Sequence, residues 1–221
     1  LRNMGPLLVI FVGLALFAFI AGDAAQAPEI FVTGDIVTFG DQAANTAVNI
    51  SEDLSPDTLI VHSSKAYTFS GNGAIVAGSL VKQGSGTLTL SGDHSYTGGN
   101  YLKGGVVKVS ALSNENKATG NLGGVTTQAS KFTMEGGATL QTTAAVTNGS
   151  PIRFVGEEGG VISNAADFNQ NKAFSGTQLT KTGGGWLKTY VTGASLAKMV
   201  IAAGTVQNMN GIAAKTIEFQ G

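Results

Sequence analysis

The chain has 221 residues, no cysteine, and 13 basic against 14 acidic residues, for a formal net charge of -1. The lack of cysteine excludes disulfides, zinc–thiolate sites and a thiol nucleophile, and the lack of a basic excess leaves nothing to neutralise phosphates, so no nucleic acid is expected as a partner. Charged residues make up only 12% of the chain, about half the ~25% usual for soluble domains; glycine fills 32 positions and proline 4, which excludes collagen and a proline-rich linker.

At the N-terminus, Arg2 precedes a charge-free run, Pro6 to Gly22 (PLLVIFVGLALFAFIAG). The run is long for the apolar region of a secretory signal, ~7–15 residues, and short for a membrane span of ~20. Ala24, Ala25 and Ala27 follow it, as small residues do at a cleavage site. Residues 1–27 are therefore expected to be a hydrophobic helix, either a signal peptide or a membrane anchor, and any membrane contact is confined to them. The segment GPLLVIFVGLALFAFIAGDA also resembles the N-terminal anchor of periplasmic prolyl-isomerase chaperones from Bacteroidetes. That resemblance implies membrane targeting only, since nothing downstream extends it to an isomerase.

From Pro28 onward helical periodicity gives way to alternation in short runs: Ile36-Val37-Thr38-Phe39, Ala47-Val48-Asn49-Ile50, Thr58-Leu59-Ile60-Val61. Each is bounded by Gly, Asn, Asp, Ser or Pro, the residues that supply turns. Short strands at intervals of about ten residues predict an all-β domain over 28–221.

The chain also repeats itself. Leu80-Val81-Lys82-Gln83-Gly84-Ser85-Gly86-Thr87-Leu88 aligns with Leu179-Thr180-Lys181-Thr182-Gly183-Gly184-Gly185-Trp186-Leu187, and the same offset carries Gly105-Val106-Val107 onto Gly204-Thr205-Val206. Two separated matches in one register define repeat units at about 78–110 and 179–209. The first unit, GSLVKQGSGTLTLSGDHSYTGGNYLKGGVVKVS, closely resembles the autotransporter-associated β-strand repeat. It carries that motif's Leu-x-Lys-x-Gly-x-Gly strand, its Tyr-x-Gly-Gly turn (Tyr96, Gly98, Gly99) and its Gly-Gly-x-Val-x-Val strand (Gly104, Gly105, Val107, Val109). The second unit keeps the outer strands and lacks the Tyr-x-Gly-Gly turn. The resemblance implies a parallel β-helix in a passenger region exported to a bacterial surface.

Physical reasoning supports the same fold, a parallel β-helix (β-solenoid) behind an N-terminal hydrophobic helix. Coils of ~20–30 residues would stack at roughly 4.8 Å, with Leu, Val and Ile inside, Thr, Lys and Ser outside, and glycine at the corners. No coil buries its own apolar edge, so stability comes from stacking on neighbours. In Thr87-Leu88-Thr89-Leu90 the leucines are expected inside and the threonines in external ladders.

Candidate chemistry is sparse. A glycan hydrolase needs carboxylates gathered ~5–9.5 Å apart, but Glu52-Asp53 and Glu157-Glu158 are the adjacent pairs downstream of residue 28, and neighbours on a strand face opposite ways. Arg153 stands alone in its strand and is expected to face outward. His62 and His94 are expected on different coils, and Asp93-His94-Ser95 are consecutive, so their side chains diverge rather than relay a proton. Gly84-Ser85-Gly86 and Gly183-Gly184-Gly185 precede strands, not the helix a phosphate loop requires. No catalytic residue, cofactor or metal is expected. Trp186 replaces Thr87 of the first unit at a position expected to face out, and with Tyr190 it is the candidate for surface contact.

The expectation is a non-enzymatic, exported or cell-surface stalk with an adhesin-like role, its partner a surface glycan or protein. The alternatives are a polysaccharide lyase or hydrolase on the same fold, and a carbohydrate-binding module centred on Trp186. Leu1 in place of Met, and an end at Thr216 to Gly221 that reads as strand, predict either a longer parent chain or end-to-end self-association through an open edge.

Overall fold

A computed structural model of the protein describes residues 9–10, 33–116, 119–190, 194–208 and 212–220. Over these residues the chain is an all-β parallel solenoid of about nine turns. Its strands stack in three columns.

The first column runs Ile36–Phe39, Thr58–His62, Val76–Gln83, Ser95–Leu102, Phe132–Glu135, Ile152–Val155, and then the start of the long strand Phe174–Thr182. The second runs Ala47–Ile50, Tyr67–Gly71, Thr87–Leu90, Val106–Val109, Ala138–Thr142 and Gly160–Asn164, and ends on the second half of Phe174–Thr182. That strand thus joins the two columns, and Ala194–Ile201 and Ile212–Phe219 continue the joined face. The third column, Val146–Asn148, Phe168–Gln170, Trp186–Thr189 and Thr205–Asn208, covers the C-terminal coils. All of these strand pairs are parallel, as coils wound in one sense require.

Like positions stack on like. Tyr67 lies opposite Leu88, Leu88 opposite Val107, Val107 opposite Leu140, and Leu140 opposite Ile162. In the third column Phe168 lies opposite Leu187 and Leu187 opposite Val206. Leu80, Leu88, Leu140, Ile162, Phe168, Phe174, Leu179 and Leu187 are all fully buried. Each such side chain contributes roughly 1.5–3 kcal/mol over its exposed state. The period-two alternation of short runs such as TLTL is the local cause: one parity fills the axis and the other faces water.

Successive paired positions lie 18 to 22 residues apart, as from Ser195 to Ala213 and from Ile152 to Phe174. Two places depart from this spacing: Val9 pairs with Asn49, 40 residues on, and one later coil is longer. Val107 pairs with Leu140, 33 residues on, because 110–131 forms an excursion outside the coil that ends in the 3-10 turn Ala129–Lys131.

Two expectations need correction, and the repeat units differ in their placement. Lys82 and Lys181 do not face outward; they are 1% and 0% exposed. They share parity with Leu80 and Leu179, which places them on the axis. The two repeat units also occupy different faces. Leu80–Lys82 lies in the first column and Leu88 in the second, whereas Leu179–Lys181 pairs into the second and Leu187 lies in the third. The cause is length: the 99-residue offset spans whole coils, the excursion and one further face. Finally, the hydrophobic helix expected over 1–27 lies outside the described residues except at Val9–Ile10, which are extended and pair in parallel with Asn49–Ile50. That edge of Ala47–Ile50 is the open end of the second column, where apolar extended backbone completes the ladder.

Candidate functional site

The part shared by the two repeat units is a corner device. Lys82 Nζ donates to the carbonyls of Gln83 at 2.8 Å, Gly84 at 3.0 Å and Gly104 at 3.3 Å. Lys181 Nζ donates to those of Thr182 at 2.6 Å, Gly183 at 2.7 Å and Ala203 at 3.2 Å. The acceptors correspond residue for residue at the repeat offset. Each ammonium ties the corner of its own coil to the corner of the next, satisfying carbonyls that have turned out of the strand ladder. Burial pushes the Lys82 amine down to about 8 and lowers that of Lys181; at neutral pH Lys82 still carries its proton. Glycine is required above each cage. A Cβ at Gly105 (φ 66°) would come within 2.8 Å of Lys82 Nζ, and one at Gly204 (φ 78°) within 2.7 Å of Lys181 Nζ.

Trp186 opens the strand Trp186–Thr189 at the corner that Lys181 closes. It is 45% exposed, facing out as expected. Lys188, of the same parity, sits with Nζ 5.7 Å from the indole centroid and is fixed by a 2.6 Å bond to Asp167 on the preceding coil. That bond raises the Lys188 amine above its ordinary value. Tyr190 is 41% exposed and donates from its hydroxyl to Asn169 Oδ1 at 3.3 Å. Its backbone N–H stays in the ladder, on Gln170 O at 3.0 Å. Trp186 and Tyr190 share parity and are both exposed, roughly 13 Å apart along extended backbone. Asp167 and Asn169 on the preceding coil anchor the Lys188 ammonium and the Tyr190 hydroxyl. This face can stack a ring and hydrogen-bond its edges.

The other candidates are dispersed. Glu52, Asp53, Glu157 and Glu158 are exposed at corners, and Arg153 faces outward from its strand. Several acids serve the scaffold. Asp41 accepts from Ser63 Oγ at 2.5 Å and Ser64 N at 2.8 Å, which lowers its pKa. Asp53 accepts from Ala74 N at 2.8 Å, and Glu115 pairs with Lys172 at 2.8 Å. His62 is exposed on one coil; His94, on another, is 1% exposed and accepts from Ile75 N through Nδ1 at 3.1 Å. Among the described residues no three of His, Asp and Glu gather as metal ligands would. Gly84 and Gly183, both at positive φ, are corner residues followed by strands.

Sequence reasoning missed the lysine cages, although the shared parity of Leu80 with Lys82 and Leu179 with Lys181 was the signal. It also missed a cleft of about 270 Å³ beneath the 110–131 excursion, between Tyr96, Asn100, Phe132 and Leu122. Its sequence trace is the uneven step between the strands on either side.

Comparison with known families places the first repeat independently. The family model of the Passenger-associated-transport-repeat matches residues 80–109, the stretch from Leu80 through the first lysine cage to Val109. No curated protein and no solved structure matches the chain. Parallel coils and this repeat together are similar to the passenger-type β-helix repeats of autotransporters. The repeat family points to an exported or cell-surface protein.

Proposed function

We propose that the chain is a non-enzymatic structural module of an exported passenger, a stiff stalk whose side face binds a surface glycan or protein. Residues 1–27 deliver it to, or hold it at, the membrane. The observation that carries this reading is the Trp186–Lys188–Tyr190 face, where an exposed indole lies beside Lys188, itself fixed by Asp167, and an exposed phenol bonds Asn169 on the neighbouring coil. A surface whose side chains are already ordered spends little conformational entropy when a partner docks. The scaffold roles of Asp41, Asp53, Asp167 and Glu115 support a non-enzymatic role, because these carboxylates are engaged in corner and inter-coil bonds.

Two measurements test the proposal. The purified chain is incubated with pectins, host glycans and common polysaccharides, and no product is expected; turnover that disappears when Glu157 and Glu158 become Gln would reject the structural reading. A glycan array is probed with the wild type and with Trp186→Ala, and binding is expected to fall about tenfold or more in the variant. Unchanged array binding in Trp186→Ala would remove this face as the contact site.

A further inference from the structure

On the third column the coil that carries Trp186 lies between two others whose outward residues are fixed by register. Asn169 stands opposite Lys188 on the preceding coil, and Thr205 and Gln207 stand opposite Trp186 and Lys188 on the following one. These positions face out because Phe168, Leu187 and Val206, of the other parity, pack into the core. Adjacent rows are roughly 4.8 Å apart. A row bearing two aromatic rings, Trp186 and Tyr190, thus runs between two rows of uncharged hydrogen-bonding side chains. All of them are accessible: Trp186, Tyr190 and Thr205 are exposed, and Asn169 and Gln207 are half-buried.

That pattern is complementary to a pyranose, which has an apolar C–H face and a rim of hydroxyls that both donate and accept. The aromatic rings offer surface to the C–H face, and the amides of Asn169 and Gln207 reach the rim from either side. Length selects a chain over a single sugar, since Trp186 and Tyr190 lie roughly 13 Å apart along extended backbone. Stereochemistry is selected too, because an axial hydroxyl on the stacked face would hold the sugar off the ring. Charge selects against acidic sugars. The Lys188 ammonium is already neutralised by Asp167 at 2.6 Å, and the Asp167 side chain, 40% exposed, repels a second carboxylate.

Resting on the reading of this face as the contact site, the geometry points to its ligand: an extended chain of neutral hexopyranoses with equatorial hydroxyls, lying along the strand from Trp186 to Tyr190.

The test is calorimetric titration of the full chain with cellohexaose, glucose, β-1,4-linked mannohexaose, whose 2-hydroxyls are axial, and the β-1,4-linked glucuronate hexamer. Cellohexaose is expected to bind about tenfold or more tightly than each of the other three. Trp186→Ala and Tyr190→Ala should each weaken it about tenfold, and Gln207→Ala about threefold. Thr89→Ala, on the second column, should leave it unchanged, and melting curves check that every variant folds. Equal affinity for glucose, mannohexaose or the glucuronate hexamer, or cellohexaose binding that survives Tyr190→Ala, would overturn this inference while leaving Trp186 as a glycan contact. Binding of none of the four would overturn it and leave a protein as the partner of the face. Cellohexaose binding that survives Trp186→Ala would remove the face itself, and the broader reading with it.

Discussion

Lys82 Nζ replaces, for three carbonyls at a glycine corner, the N–H partners that a strand would have supplied. A hydrogen bond to a charged group is worth about 1.5–3 kcal/mol, and removing one side of a buried ionic contact strands the other. Lys82→Met, which preserves the stem and deletes the ammonium, is therefore expected to lose roughly 2–4 kcal/mol, measured by urea denaturation. Lys181→Met should behave alike, and wild-type stability in both would refute the cage. His94 sets a pH dependence. Burial lowers its pKa, against the backbone bond near Ser91 and the charge of Asp93, which raise it. Tyr96 is the ring beside it, at 6.1 Å. Protonation also puts a second hydrogen where Ile75 N already donates. Because the folded pKa lies below the unfolded ~6.5, the unfolded chain takes up the proton first. This contribution to stability is full above pH ~6.5 and declines as pH falls toward the folded value. Melting curves between pH 5 and 7.5 should show that slope in the wild type and a flatter one in His94→Gln.

At the scale of strands and loops, the cage is a corner fitting that works at more than one corner. It joins the first column to the second at Lys82 and the second to the third at Lys181. The alternation and the glycine corners were legible because period two and positive φ are local properties, readable from TLTL or GSG alone. Which face a repeat occupies was not. It depends on the summed length of every coil between the two copies, and the excursion at 110–131 shifts that sum without leaving a motif. Trp186 could be read as outward from its alignment with Thr87, whereas its partners Asp167 and Asn169 come from another coil and have no fixed spacing in sequence. The cleft under the excursion was hidden for the same reason, since the residues lining it, Tyr96 and Ser150 among them, come from different coils. Asn121, holding Ser110 and Ala111 on one side and Gly92 on the other, should be the pin of that excursion. In Asn121→Ala, amide exchange is expected to accelerate across 110–131 and to stay slow in Thr87–Leu90 and Ala138–Thr142. Uniform acceleration along the whole rod would show that the excursion is not an independent unit.

For the molecule as a whole, each coil rests on its neighbours, so stiffness and length follow from repetition rather than from one central core. That suits the stalk role proposed above. Because the chain contains no cysteine, the coil register can be tested by introduced pairs. Lys108 and Gln141 are paired neighbours on adjacent coils, 33 residues apart and separated by the excursion. Their Cα atoms should lie near 4.8 Å, inside the ~4.4–6.8 Å that a disulfide spans. Lys108→Cys with Gln141→Cys is expected to close under mild oxidation, and Lys108→Cys with Thr139→Cys, two residues out of register, to stay reduced. Failure of the first pair, or equal closure of both, would contradict a solenoid in the register described.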